Sequence, residues 1–137
     1  MKHICKALII LWLVTAFLTV VACSQKNAQT GLLQGGVTIG PITPVEIPGQ
    51  NPIVPPEVFS SRKVMVYDST GKNLVTQVVI HQIKETANGY YSVQLAAGIY
   101  AVSASPSGIG GTTLPVTVSI SAGQTTILDI DIDTGIR

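Results

Sequence analysis

Two regimes of hydrophobic patterning divide the chain. From Ala7 to Ala22 it is uncharged, rich in Leu, Ile and Val, and without period. From Arg62 onward apolar residues recur at every second position, the period of a strand with one buried face. Val64 and Val66 alternate with Met65 and Tyr67 and run into a turn at Asp68-Ser69-Thr70-Gly71-Lys72. Leu74 to Lys84 (LVTQVVIHQIK) reads as one long strand, closed by a hairpin turn at Ala87-Asn88-Gly89. Tyr91, Val93 and Leu95 alternate with Ser92 and Gln94; after a break at Ala96-Ala97-Gly98, Ile99 to Ala104 forms the next strand. Ser105 to Thr113 (SPSGIGGTT) has the composition of a loop, with a mobile turn expected at Gly108-Ile109-Gly110-Gly111. Val116, Val118 and Ile120 lead to a turn at Ala122-Gly123-Gln124. Leu128, Ile130 and Ile132 then alternate with Asp129, Asp131 and Asp133. About seven short strands with no helical period predict an all-β fold, a seven-stranded antiparallel Greek-key β-sandwich with Thr, Ser, Gln and Asp facing water.

The stretch between the two regimes is neither. Ser24 to Gln34 (SQKNAQTGLLQ) is polar and small, the composition of a flexible spacer. Residues 35–56 hold six of the eight prolines, which excludes a helix or a central strand and predicts an extended segment. Only Val37-Thr38-Ile39 looks capable of pairing there. The expected organisation is a leader over 1–22, a tether over 23–34 and a domain over 35–137, whose first part, 35–56, is the proline-rich segment.

Lys2 and Lys6, the apolar run and Val20-Val21-Ala22 together have the layout of a secretory signal peptide. Sixteen residues are short for a membrane span, which needs about 20. Cys23, directly after "VVA", resembles the lipobox of bacterial lipoproteins. That resemblance implies removal of residues 1–22, diacylation of the Cys23 thiol and anchoring at the cell envelope, since two or three acyl chains hold stably where one does not. Ser24 is not the aspartate that resembles an inner-membrane retention signal, so an outer-membrane address is expected if the host has two membranes.

Charge and cysteine content narrow the function classes. Removal of the first 22 of 137 residues leaves 115, enough for one domain with its own core. Of the two cysteines, Cys5 leaves with the leader and Cys23 would carry lipid, so no disulfide is expected. Lys2 and Lys6 also leave, so six Lys and Arg face seven Asp and Glu, a balance of −1. Without a basic patch, nucleic acid is not an expected partner.

Gly89 to Ala104 (GYYSVQLAAGIYAVSA) and Pro115 to Asp133 (PVTVSISAGQTTILDIDID) resemble the transthyretin-like, or prealbumin-like, sandwiches, which include the carboxypeptidase regulatory-like modules. A closer likeness is to small bacterial secreted or lipoprotein domains with "GP-x-x-PV-x-x-PG" before the sandwich, here Gly40 to Gly49, and "IDTGIR" at the end, here Ile132 to Arg137. Thr43 stands where members of that group often carry a cysteine, and Ala97 where the usual proline precedes the strand-breaking glycine. The resemblance implies a sandwich fold and a role as spacer, binding module or assembly unit.

Candidate chemistry is sparse. Asp129, Asp131 and Asp133 would project from one strand face about 6.6–6.8 Å apart, too far for one hard cation to bridge all three easily. Their simplest role is a solvated face that discourages edge-to-edge association. His81 lacks a cysteine or second histidine beside it, and no G-x-S-x-G elbow frames a serine. Alternation puts Tyr90 and Tyr91 on opposite faces, one core and one exposed. The expected function is therefore a non-enzymatic, lipid-anchored envelope module without cofactor. It would meet an envelope protein or polysaccharide through the proline-rich segment or the 105–113 loop, the alternatives being an accessory subunit of an envelope complex, an enzyme or a small-ligand carrier.

Overall fold

The computed structural model describes residues 29–44, 49 and 53–136; Cys23, the leader and part of the proline-rich segment lie outside them. Within these residues the period-two pattern builds strands: β1 (Thr30–Gly40), β2 (Lys63–Tyr67), β3 (Leu74–Val79), β4 (His81–Gln82), β5 (Asn88–Ala96), β6 (Gly98–Ser105), β7 (Gly110–Gly111), β8 (Val116–Ile120), β9 (Thr125–Ile127) and β10 (Ile130–Asp133). One sheet has the order β4-β5-β1-β10-β7, with β9 also on β1; the other has the order β3-β2-β6-β8. Their inner faces meet in one core. Leu33, Val37, Ile39, Tyr91, Leu95, Ile130 and Ile132 come from the first sheet, and Val64, Val66, Val102, Val118 and Ile120 from the second. The fold is an all-β sandwich.

β1 departs furthest from the sequence expectation. The spacer expected over 23–34 runs into it, because Thr30 to Gln34 are strand and Leu33 is fully buried. Three glycines and a glutamine in TGLLQGG lower its strand propensity and hide it. Packing overrides propensity: burial of Leu33, Val37 and Ile39 contributes about 1.5–3 kcal/mol each. Two of the glycines are required by close approach. A Cβ on Gly31 would sit 2.2 Å from the Ser121 carbonyl oxygen, and one on Gly35 would sit 1.8 Å from that of Leu128. β1 pairs antiparallel with β5 but parallel with β9 and β10, so the first sheet is mixed rather than purely antiparallel. The long stretch of chain between β1 and β10 permits the parallel register, which a short hairpin cannot.

One expected strand is broken and another is shortened. The 74–84 run changes sheets at Ile80, whose buried side chain fills the corner between β3 and β4. The strand expected from Leu128 starts only at Ile130, because Leu128 and Asp129 form a break after β9, a short strand absent from the expectation. The hairpin turn also moves. It lies over residues 83–87, with Lys84 and Glu85 at positive φ of 48° and 54°, while Asn88 and Gly89 already belong to β5. Gly89 instead makes room for the core, since a Cβ there would meet Phe59 at 2.7 Å and Ile80 at 2.9 Å. Phe59 comes from a helical turn absent from the sequence expectation, α1 (Glu57–Ser60), which Pro56 enters with a helical φ of −60°.

Candidate functional site

The break at Leu128–Asp129 shapes the outer face of the first sheet. Its backbone is satisfied by three devices. The Leu128 amide donates to the Gln34 carbonyl at 3.0 Å, the Tyr91 hydroxyl donates to the Leu128 carbonyl at 2.8 Å, and the Gly36 amide donates to Asp129 Oδ1 at 2.7 Å. Gly35 lacks the Cβ that would collide with the Leu128 carbonyl. Burial, and then the Asp129 charge, push the Tyr91 phenol well above its ordinary pKa, so it stays a neutral donor.

Register then places a row of outer-face positions across the sheet. His81 pairs with Tyr90, Tyr90 with Gly36, and Asp129 lies on the far side of Gly36. The next row is Ser92, Gln34 and Ile127. Tyr90 is half exposed and its ring stacks on His81, with centroids 5.3 Å apart and planes at 29°. Between the rows lies an open groove of about 480 Å³ over Gly35 and Gly36, walled by Tyr90, Ile127 and Asp129. That volume falls within the range of small-ligand sites, about 300–1,000 Å³.

The residues singled out by sequence divide clearly. Tyr91 is core and Tyr90 exposed, as alternation requires. His81 is an exposed strand residue engaged in ring stacking. The three aspartates do not converge. Asp129 is taken up by Gly36, Asp131 is exposed, and Asp133 accepts from the Gly135 amide at 2.8 Å. Among the described residues no group of three His, Cys, Asp or Glu is placed to hold a metal. The 105–113 segment, expected to be a loop with a mobile turn at 108–111, is docked on β10. Ile109 N–H bonds Asp133 O at 2.9 Å, Thr112 N–H bonds Asp131 O at 2.8 Å, and Thr112 Oγ1 accepts from Asp131 N–H at 2.8 Å. A Cβ on Gly108 or Gly111 would meet the Asp133 or Asp131 carbonyl oxygen at 2.3 or 2.2 Å, so these glycines serve the docking. Gln34, Gly36 and Ser92 escaped the sequence reading. The available signal was a Gly-Gly pair inside the run LLQGGVTI, because strand glycines often mark a close approach.

No protein-family model matches the chain, and no curated protein matches it significantly. Among solved structures it is similar to a minor pilin of Streptococcus agalactiae, at 15% identity and a TM-score of 0.44, over 77% of this chain and 44% of the pilin. It is similar to a DUF3823 family protein from Parabacteroides merdae, at 19% identity and a TM-score of 0.43, over 77% of this chain and 47% of that one. A leucine-rich repeat protein from Bacteroides thetaiotaomicron shares 13% identity at a TM-score of 0.41, over 79% of this chain and 14% of its own. The chain spans less than half the length of each. The sandwich assignment rests on the strand pairing itself.

Proposed function

We propose that the protein is a lipid-anchored module of a bacterial cell envelope that binds a partner rather than transforming one. The anchor is Cys23, in the lipobox-like context of residues 20–23. The observation that carries the reading is the position of β1, which starts at Thr30 with only six residues between it and Cys23. Fully extended, that spacer reaches about 20–25 Å. The start of β1 is bounded by the turns at 96–98 and 121–124, through the bonds from Ala97 N–H to Gln29 O and from Gly123 N–H to Thr30 O. This end would face the membrane. β1 is about 35 Å long at strand rise, and at its far end Gly40 meets Thr134 while Ile39 meets Ala87. The turn at 83–87, the 105–113 segment and the prolines that follow Gly40 therefore gather at the end away from the lipid, the end offered to an envelope protein or polysaccharide.

Labelling with a radioactive or alkyne-bearing fatty acid in the native host tests the anchor. The wild-type chain should take up label and sediment with membranes, and Cys23→Ala should do neither. An unlabelled wild-type chain would sink the reading.

A further inference from the structure

The outer face of the first sheet holds a glycine that packing does not require. Gly36 has a backbone outside the left-handed region, and the nearest atom to a Cβ built on it is Asp129 Oδ1 at 3.4 Å, an ordinary contact. Its neighbour Gly35 has no such freedom. A glycine inside a strand weakens it and often marks a bulge, a bend or a place where a ligand or another backbone comes close. Tyr90, directly across the ladder from Gly36, does not cover it. None of the three nearest atoms belongs to Tyr90, whose ring instead stacks on His81.

The groove over Gly36 has a defined chemistry. One wall is the half-exposed ring of Tyr90, and another is Ile127, which is 69% exposed. Asp129 is the one charged side chain lining it, and only Oδ1 of that carboxylate is engaged, by the Gly36 amide. Gln34 and Ser92 stand side by side on the same face. Among the described residues neither of their side chains, nor the Tyr90 hydroxyl, makes a hydrogen bond within the protein. A lone carboxylate with no Lys or Arg beside it repels anions and accepts hydrogen bonds from hydroxyl donors. An aromatic ring with apolar surface beside it takes a flat C–H face.

We propose that this groove binds a neutral glycan. One pyranose ring lies over Gly36 with its C–H face against Tyr90, and its hydroxyls bond to Asp129, Gln34 and Ser92. The Asp129 carboxylate disfavours phosphorylated and acidic ligands, while the unbonded Gln34, Ser92 and Tyr90 polar groups beside an exposed ring match the hydroxyls and C–H face of a neutral sugar. The site is independent of the lipid anchor, so the Cys23→Ala chain keeps it and the two readings fail separately.

The test is titration of the full-length chain, held in a detergent without a sugar headgroup, with neutral hexasaccharides of glucose, mannose and N-acetylglucosamine. Binding is followed by calorimetry and by amide nitrogen–proton NMR spectra. At least one hexasaccharide should bind with a dissociation constant on the order of 0.1–1 mM. It should shift the amides of Gly36, Tyr90 and Ser92. Gly36→Val, which projects a branched side chain into the groove, and Tyr90→Ala, which removes its exposed wall, should each weaken that binding about tenfold or more. Thermal melting of both variants confirms that they are folded, and Tyr90→Ala carries the test alone if Gly36→Val is not. The proposal is overturned if none of the hexasaccharides shifts these amides at about 10 mM. It is equally overturned if the shifts fall elsewhere, or if every folded variant binds as the wild type does.

Discussion

Replacing Tyr91 with phenylalanine removes one oxygen atom and isolates what holds the break between β9 and β10. The ring is 1% exposed and stays so in the variant. What disappears is the 2.8 Å bond to the Leu128 carbonyl, the same carbonyl that Gly35 lets approach β1. An acceptor left unpaired at such a site costs about 1–3 kcal/mol. For a domain of this size each kcal/mol moves the melting temperature by about 4–8 °C, so Tyr91→Phe should melt about 4–24 °C lower. The pH dependence gives a second, independent signature. The folded-state pKa of Tyr91 is raised above its ordinary value of 10.0 by burial and by Asp129. Above pH 10 the unfolded chain therefore releases this proton while the folded protein retains it. The stability held at lower pH is then lost as pH rises, by about 1.4 kcal/mol per unit, until the folded phenol also ionises. Phenylalanine has no proton to lose, so the alkaline limb of the variant should be shallower by that slope. Urea unfolding at a series of pH values, with unchanged m, measures both effects. A variant that melts within about 2 °C of the wild type and keeps its alkaline slope would refute the role given to this hydroxyl.

The two adjacent glycines should respond in opposite directions. Gly35→Ala forces a Cβ into backbone and should destabilise by about 2 kcal/mol or more, while Gly36→Ala should be neutral or stabilise by about 0.4–1 kcal/mol. Denaturant midpoints decide this, and equal losses at both sites would contradict the geometry. The turn after β2 offers an acid-side test. The Asp68 carboxylate accepts from the Thr70 hydroxyl, the Asn73 side-chain amide and the Lys72 amide, which hold its pKa down at about 2 against an ordinary 3.8. A depressed carboxylate contributes stability that is present above pH 3.8 and lost as pH falls towards 2. Asp68→Asn should flatten the acid limb in that window, and NMR titration of the wild-type carboxyl should give a midpoint near 2; a midpoint near 4 would count against the turn.

The strands legible in sequence were those whose alternation is strict and whose inner face is uniformly apolar. Val64 and Val66, Tyr91 and Leu95, and Val118 and Ile120 are buried where period two puts them. The strand that organises the first sheet was hidden because its burial is bought with glycines, residues that propensity counts against a strand. Gly31 and Gly35 yield to carbonyls from a turn and a break nearly a hundred positions away in sequence, and no local pattern announces such a contact. The shift of the hairpin from 87–89 to 83–87 has the same origin. Asn88-Gly89 has turn chemistry, but Gly89 is held by Phe59 from α1, which itself lies among prolines.

The candidate groove was illegible for a related reason: it is made of missing atoms and of residues whose individual types carry no motif. Glutamine, serine and tyrosine on a strand face read as surface, and Asp129 reads as one member of an alternating acidic row. Only register sets Gly36 between Tyr90 and the carboxylate of Asp129, and only the break at Leu128–Asp129 turns that carboxylate towards the Gly36 amide. The same break withdraws Asp129 from the row with Asp131 and Asp133, so the feature that interrupts the acidic face expected from alternation is also the one that shapes the groove. A sheet that needed only to cover its core would gain stability from alanine at position 36. Of the two adjacent glycines, the one at position 35 meets a steric requirement and the one at position 36 leaves space above the sheet.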